Sequence, residues 1–320
     1  MVSGTAAEEA YRGQRVLVLG ASGFIGRRVA ATLSRGGAEV IGVLRPTPGR
    51  PQPAGWTALD LSAPGAAAAL VAELRPAVTF NLAGYGVSSS QRDAALATRL
   101  NAVLPAELAH ACAAPGASTW TGLRLVHAGS ALEYGTASGD LSESTIASPT
   151  TLYGTTKLAG THAVAEACTR GRLAGATARL FTVYGPGEAP GRLLPSLLEV
   201  RDSPRHLPLT EGLQRRDFTF VADVVEGLLR LGALPADGIG TVNLATGVLT
   251  EVREFVRRAA RQIGVDESLL GFGALPTRPE EMHHDPVRLT RLESLTGWKP
   301  RTSIEAGVRA TLKEQRSAAR

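Results

Sequence analysis

Arg15-Val-Leu-Val-Leu19 runs directly into Gly20-Ala-Ser22-Gly23-Phe24-Ile25-Gly26, and a segment bearing Ala, Val and Leu follows to about residue 34. The first run is short, apolar and β-branched, the pattern of a parallel strand buried on both faces. The glycines permit a tight turn and close backbone approach, and the following helix offers its N-terminus to an anion. Strand, glycine-rich turn and helix in this order make a dinucleotide-binding unit, with the pyrophosphate on the helix N-terminus. The glycines stand three and three apart, not two then three as in the usual fingerprint. Placement between a strand and a helix is what gives the loop its meaning.

The same alternation continues outward. Residues 39–44, 56–61, 78–82, 124–128 and 176–181 read as further strands, and 66–74, 92–112 and 151–169 as helices. This predicts an α/β fold, a doubly wound parallel sheet with ligands at the carboxyl ends of its strands. Beyond Gly185 the pattern loosens into Pro- and Gly-rich segments up to Arg215. A strand recurs at 240–245, and 250–320 mixes helices with proline-punctuated loops. Residues 1–12 read as a disordered tail.

Tyr153 and Lys157 stand four apart in Leu152-Tyr-Gly-Thr-Thr-Lys157. On a helix that spacing puts phenol and ammonium on one face, a turn apart. A nearby cation stabilises phenolate, so the spacing predicts a tyrosine whose pKa falls from about 10 towards the working pH. Such a tyrosine passes protons to or from a carbonyl or alcohol oxygen. Composition argues against an incidental surface pair. Of 34 basic residues only Lys157, Lys299 and Lys313 are lysines. A chain that uses arginine almost everywhere keeps a compact point charge here, where it can approach a ribose more closely than a planar fork.

Whole-chain features narrow the class. At 320 residues there is length for one large or two small domains. Hydrophobic content is 44%, ordinary for a soluble α/β protein. No apolar run reaches the ~18 residues of a membrane helix, and the N-terminus has no secretory character, which predicts a cytoplasmic protein. Cys112 and Cys168 are too few for a disulfide framework and read as buried thiols. His283 and His284 lack carboxylate spacing, so no metal is assigned. The net charge of +5 comes from scattered arginines without aromatic-interleaved basic blocks, which argues against nucleic acid.

These stretches, with others in order, resemble the extended short-chain dehydrogenase/reductases, the superfamily of nucleotide-sugar epimerases, dehydratases and ketoreductases. The likeness runs from about Arg15 to Leu312. Gly20, Gly23 and Gly26 match the cofactor loop, with Ser22, Phe24 and Ile25 between them. Asp60-Leu61 resembles the pair that holds the adenine, and Asn81-Leu82-Ala83-Gly84 the strand end that lines the cofactor. Asn101 matches the fourth-helix asparagine. Ser130, in Gly129-Ser-Ala-Leu-Glu-Tyr-Gly135, stands where the family keeps its catalytic Ser or Thr. Arg179-Leu-Phe181-Thr182-Val-Tyr-Gly-Pro-Gly187 resembles the turn into the substrate region. Arg215-Arg-Asp-Phe-Thr-Phe220 is similar to the return segment, and Gly297-Trp-Lys-Pro300 to the C-terminal signature.

The resemblance implies a Rossmann domain over 13–184 with a return segment at about 216–248. It also implies a smaller interleaved substrate-binding domain from 185–215 and 249–320. It makes Tyr153 the general acid/base, puts Lys157 on the nicotinamide ribose and Ser130 on the reacting oxygen. Asn101 either positions a water in the relay or is structural. Phe181 joins the cofactor side. Substrate contacts fall to Ser130, to Thr182 (where many relatives carry Asn), to Arg216 at a diphosphate and to Arg278 near the nucleotide. Helices around 97–112 and 155–168, the fourth and fifth, carry small and apolar residues on more than one face, and a homodimer through them is the implied use.

For the cofactor, the end of the second strand is Val43-Leu44-Arg45-Pro46, with no acid to bind ribose hydroxyls. An arginine suits a 2′-phosphate, so NADP(H) is favoured over NAD(H), with Arg27 a second candidate contact. Sugar 4,6-dehydratases resembling this chain carry Asp-Glu directly after the catalytic residue; Ala131 and Leu132 here cannot move protons. Ser-x-x-Glu-Tyr-Gly is similar to the segment in reductases of 4-keto-6-deoxy nucleotide sugars. The expectation is an NADPH-dependent ketoreductase on such a sugar, the alternative a nucleotide-sugar 4-epimerase that retains its cofactor. A non-catalytic NADP-binding redox sensor is a third reading, opposed by the intact Ser130, Tyr153 and Lys157.

Overall fold

Buried apolar runs become parallel strands, and the segments between them become helices packed on either face. The computed structural model describes residues 6–47, 49, 52–87, 91–113, 119–235, 237–277 and 281–318. A short helix α1 (Ala6–Glu9) precedes β1 (Arg15–Leu19), α2 (Gly26–Arg35), β2 (Glu39–Leu44), β3 (Thr57–Ala58), α3 (Ala66–Leu74) and β4 (Val78–Asn81). Next come α4 (Ala94–Thr98), a π-helical turn (Arg99–Val103), α5 (Leu104–Ala111), β5 (Leu125–Ser130), a 3₁₀ turn (Ala131–Glu133), α6 (Leu152–Thr169) and β6 (Gly175–Leu180). They are followed by β7 (Thr182–Tyr184), α7 (Leu193–Asp202), β8 (Leu207–Pro208), β9 (Arg215–Phe220), α8 (Val221–Gly232) and β10 (Gly240–Leu244). The chain closes with β11 (Leu249–Glu251), α9 (Val252–Ile263), β12 (Leu270–Gly271), α10 (Thr290–Thr296) and α11 (Ile304–Ala318).

Seven strands form one parallel sheet in the order β10-β6-β5-β4-β1-β2-β3. The order reverses between β1 and β4, which opens a crevice at their carboxyl ends. On one face Val16, Val18, Phe80, Val126 and Ala178 pack with Val29 and Leu33 of α2 and Val224 and Leu228 of α8. On the other, Leu17, Leu19 and Leu125 meet Val71, Leu104, Leu108 and Val164. Burying each such side chain stabilises the fold by about 1.5–3 kcal/mol. A third cluster joins Tyr184, Phe218 and Phe220 of the small sheet β11-β9-β7 to Leu197, Phe255 and Val308. Ile25 of the glycine turn touches both the first and the third cluster, so the turn sits at their seam. The doubly wound α/β fold is the one the alternation predicts. Among the described residues no helix is long and apolar enough to cross a membrane.

Three local expectations need correction. Residues 6–12 are not a free tail: residues 6–9 are helical and Tyr11 is fully buried. Its hydroxyl donates to the Leu229 carbonyl oxygen at 2.6 Å, and its ring packs on Phe80 and Trp120. The anchor lies 218 residues away, beyond any local pattern. The third strand is only two residues long. Asp60 ends it by accepting from both the amide and the hydroxyl of Ser62, a side-chain-closed turn. The helix expected over 92–112 is interrupted by the π turn at Arg99–Val103. Pro105, two residues beyond it, has no N–H to donate to the Asn101 carbonyl four residues back.

Candidate active site

Gly20 turns the chain at φ +75°. A Cβ there would lie 2.8 Å from the Ala83 amide nitrogen, and one on Gly26 would lie 2.1 Å from the Gly20 carbonyl oxygen. The turn therefore closes on the end of β4, and on itself, only with glycine at both places. Ser22, Phe24 and Ile25 line it half-buried, and Gly23 donates its amide to Gly20 at 2.9 Å. No side chain caps the start of α2, so its dipole is available to an anion, while the amides of Arg27 and Arg28 turn back to the Gly23 and Ile25 carbonyls. This cradle fits the pyrophosphate of a dinucleotide.

The same wall leads to Tyr153. Leu82 hydrogen-bonds the Leu19 carbonyl at 3.1 Å, and Ala83 and Gly84 continue the chain to Gly86. Gly86 has φ +103°, and a Cβ on it would stand 3.3 Å from Tyr153 Cδ2. Thr151 caps α6, accepting from the Gly154 amide at 3.0 Å, so Tyr153 and Lys157 lie on its first turns. Ser130 ends β5 with its Oγ accepting from the Leu132 amide at 3.2 Å, and a Cβ on Gly154, next to Tyr153, would stand 2.3 Å from the Leu132 carbonyl oxygen, so the two corners pack together.

Glu133 holds this corner together. It is fully buried, and its Oε1 accepts from the Ser130 amide at 2.7 Å and from Thr161 Oγ1 at 3.0 Å. Its Oε2 accepts from Arg179 Nε at 2.8 Å, and that guanidinium lies 4.3 Å from the centre of the Tyr134 ring. One carboxylate thus ties β5, α6 and β6 around Ser130. Sequence reasoning quoted this glutamate but gave it no role. The Ser-x-x-Glu capping-box spacing was the available signal.

The helical spacing prediction holds, but the acidification does not. Burial pushes the Tyr153 phenol up to about 12, and the Glu133 carboxylate adds to the rise. The hydrogen bond from Ser130 and the charge of Arg192 offset part of it. Burial brings the Lys157 ammonium down to about 8 against an upward pull from Glu133. Lys157 is buried and Tyr153 half-buried, and the charge that acts most on the phenol is a carboxylate. Tyr153 is a phenol that keeps its proton.

Asn101 sits in the π turn, fully buried. Its Oδ1 accepts from the Tyr85 amide at 3.0 Å, while Nδ2 donates to the Tyr85 carbonyl at 2.7 Å and to Thr156 Oγ1 at 3.0 Å. The side chain staples the loop after β4 to α6, which favours the structural reading of its two. His127 is a residue the sequence did not flag. It is fully buried, accepts from Asn81 Nδ2 at 3.1 Å, and leaves Nε2 without a partner. Burial, then the charge of Lys157, holds its imidazole well below the usual range and therefore neutral.

Toward the adenosine end, Arg45 follows β2 and is exposed. Asp60 is held below the usual carboxylate range by Ser62 and, more weakly, by Arg45 and Arg99, and Leu61 lies half-buried beside it. Arg27 is directed elsewhere: its guanidinium donates to the Gly187 carbonyl. Arg28 bonds the Pro186 carbonyl at 2.6 Å and Glu314 at 2.6 Å. The second candidate for a 2′-phosphate therefore braces the substrate turn.

A cavity of about 290 Å³ opens between Thr182, Glu188, Arg192, Arg216, Phe255 and Glu281. Arg216 forms a two-pronged ion pair with Glu281, Nε to Oε1 and Nη2 to Oε2, both at 2.8 Å. Phe181 packs between the rings of Tyr134 and His284. Arg278 lies outside the described residues. Glu188, Arg192 and Glu281 were not singled out from the sequence, because nothing local distinguishes them from surface charges.

The model of the NAD dependent epimerase/dehydratase family matches residues 16–245, spanning the glycine turn, Ser130, Tyr153 and Lys157. The chain belongs to this family. Membership makes it an NAD(P)-dependent enzyme of the extended short-chain dehydrogenase/reductase type. A dTDP-6-deoxy-L-talose 4-dehydrogenase (NAD(P)(+)) from Kitasatospora kifunensis is 33% identical over 95% of this chain and 96% of its own length. A dTDP-4-dehydrorhamnose reductase from Streptomyces griseus is 32% identical over 71% of this chain and 68% of its own. Among solved structures, MoeE5 in complex with UDP-glucuronic acid and NAD superposes with a TM-score of 0.79 at 28% identity, covering 95% of this chain and 99% of that one.

Proposed function

We propose that this family member is an NADPH-dependent ketoreductase that reduces the C4 ketone of a nucleotide-linked 6-deoxy sugar. The observation that supports the reading is the run of close contacts from the glycine turn through Gly86 to Tyr153, with the end of β5 at Ser130 packed beside it. It sets a proton donor and a second hydroxyl beside the cradle that fits a dinucleotide. When bound, that cofactor supplies a hydride to the carbonyl carbon. Tyr153 gives its proton to the carbonyl oxygen as negative charge develops there, and Ser130 donates a hydrogen bond to the same oxygen. Lys157 stabilises the phenolate left behind and is placed to hold a ribose hydroxyl.

A tyrosine pushed up to about 12 suits reduction, in which the enzyme must deliver a proton. The names of two relatives, the talose 4-dehydrogenase and the 4-dehydrorhamnose reductase, support redox chemistry at C4 of a dTDP-sugar. Arg45 at the end of β2, with no acid beside it in sequence, supports NADP(H); NAD(H) is the alternative, since MoeE5 carries it. The separate clusters around Val18 and Phe255 support a cofactor unit over 13–184 with a return at 216–248, and a substrate unit from 185–215 and 249–320. Two-fold pairing through α5 and α6, and a cytoplasmic location, complete the proposal.

The test is to incubate purified protein with NADPH and a panel of dTDP-, GDP-, UDP- and CDP-linked 4-keto-6-deoxy sugars, with products identified by NMR. One member should consume NADPH stoichiometrically. Tyr153→Phe should lower that rate by about 10²–10⁴-fold while leaving NADPH affinity nearly unchanged. Interconversion of 4-epimers without net NADPH use would establish the epimerase instead.

A further inference from the structure

Glu188 differs from its neighbours in the substrate cavity. Its side chain is only 8% exposed, and its Oε2 is buried with no hydrogen-bond partner. Its contact with Arg192 Nε, at 3.4 Å, is long and weak. Glu281, on the same wall, is the opposite case, with both oxygens spent on Arg216. A buried carboxyl oxygen left unpaired costs free energy that a ligand group can recover.

We propose that Glu188 is a specificity-determining residue at the reactive end of the cavity, where its carboxyl hydrogen-bonds a hydroxyl of the sugar. The assignment rests on the nucleotide-sugar reading. One contact and one charge relate Glu188 to the reactive end. Its partner Arg192 acts electrostatically on Tyr153, and the adjoining Gly187 is held by Arg27 at the start of α2. Burial raises the carboxyl to about 7, with Arg192 and the Gly185 amide offsetting part of the rise. Near neutral pH such a group both donates and accepts, which suits a hydroxyl, whereas a diphosphate would repel its ionised form. The charges around it are Arg192 on its own turn, Arg27 from α2, and Arg216 and Glu281 in the same cavity lining.

The experiment is calorimetric titration at pH 8 of wild type, E188Q and E188M with dTDP, UDP, GDP and CDP and with their glucose conjugates. For the base that binds, E188Q should weaken the conjugate about threefold and E188M about tenfold, with the free diphosphate within about twofold of wild type in both. Equal losses for diphosphate and conjugate in the isosteric E188Q, or full conjugate affinity in a folded E188M, would overturn the assignment and leave the nucleotide-sugar reading standing. If E188M does not fold, E188Q decides. Failure of wild type to bind any of the eight ligands would remove that reading, and the assignment with it.

Discussion

The walls proposed to serve catalysis and substrate are built by different means. Around Ser130, the side chains of Glu133, Thr161 and Arg179 are almost wholly buried and joined at 2.7–3.0 Å, and Asn101 spends its carboxamide on Tyr85 and Thr156. In the cavity lining, Arg216 is a third exposed and clamped by Glu281 and Glu188 keeps an oxygen unpaired, while nearby Arg27 and Arg28 reach over to backbone carbonyls. Reacting groups must be held to a fraction of an ångström. Groups that hold substrate must instead be able to exchange a protein partner for a ligand.

The largest effect should come from breaking the rigid wall. Glu133→Ala leaves the Arg179 guanidinium buried without its carboxylate and should destabilise the fold by about 3–5 kcal/mol in denaturant titration. Glu133→Met with Arg179→Met removes both charges and should recover most of that stability. Reductase activity should stay low in the double variant, because the Ser130 amide has lost its acceptor and Ser130 its placement. Recovery of activity together with stability would show that the pair serves the fold alone.

The contrast between the walls also explains what was legible in the sequence. The catalytic side rests on short-range patterns: Tyr153 and Lys157 four apart on one helix, Ser130 and Glu133 three apart in a capping box, and glycines three apart around a turn. Each is a consequence of local backbone geometry; spacing revealed the Tyr153–Lys157 pair and the glycine turn, while Ser130 came by resemblance and the capping box went unread. Sign was harder than position, since the Tyr153 phenol is governed by burial and by Glu133, neither of which spacing encodes. The substrate side rests on pairs far apart in the chain: Arg216 with Glu281, 65 residues on, and Arg27 with Gly187, 160 residues on. Tyr11 fails for the same reason, its burial being set by Leu229, Phe80 and Trp120.

A middle-sized effect belongs to Lys157, whose ammonium is buried at a cost to the fold. Its folded-state pKa of about 8 lies below the ordinary 10.5. The favourable contribution of this group is therefore present above pH 10.5 and lost as pH falls through about 8. Lys157→Met should raise the unfolding free energy at pH 7 by about 1–3 kcal/mol, an advantage that shrinks as pH rises from 8 towards 10.5. The variant should be inactive. In wild type, kcat/KM for reduction should decline above about pH 8, where the free enzyme loses the ammonium. A rise in that range would show that the charged lysine is not the working form.

The smallest effect tests the exchangeable wall. Glu281 presents two oxygens to the Arg216 fork in the geometry a phosphate would use, so a diphosphate held by Arg216 would compete with this carboxylate for one guanidinium. Glu281→Gln keeps the shape and removes the charge. It should tighten binding of a nucleoside diphosphate by about threefold to tenfold at low salt, with the gain fading as ionic strength rises. Arg216→Met should lose diphosphate affinity and, combined with Glu281→Gln, should show no gain from the second change. If Glu281→Gln instead weakens binding, the carboxylate orients Arg216 rather than competing for it, and the substrate wall is as pre-set as the catalytic one.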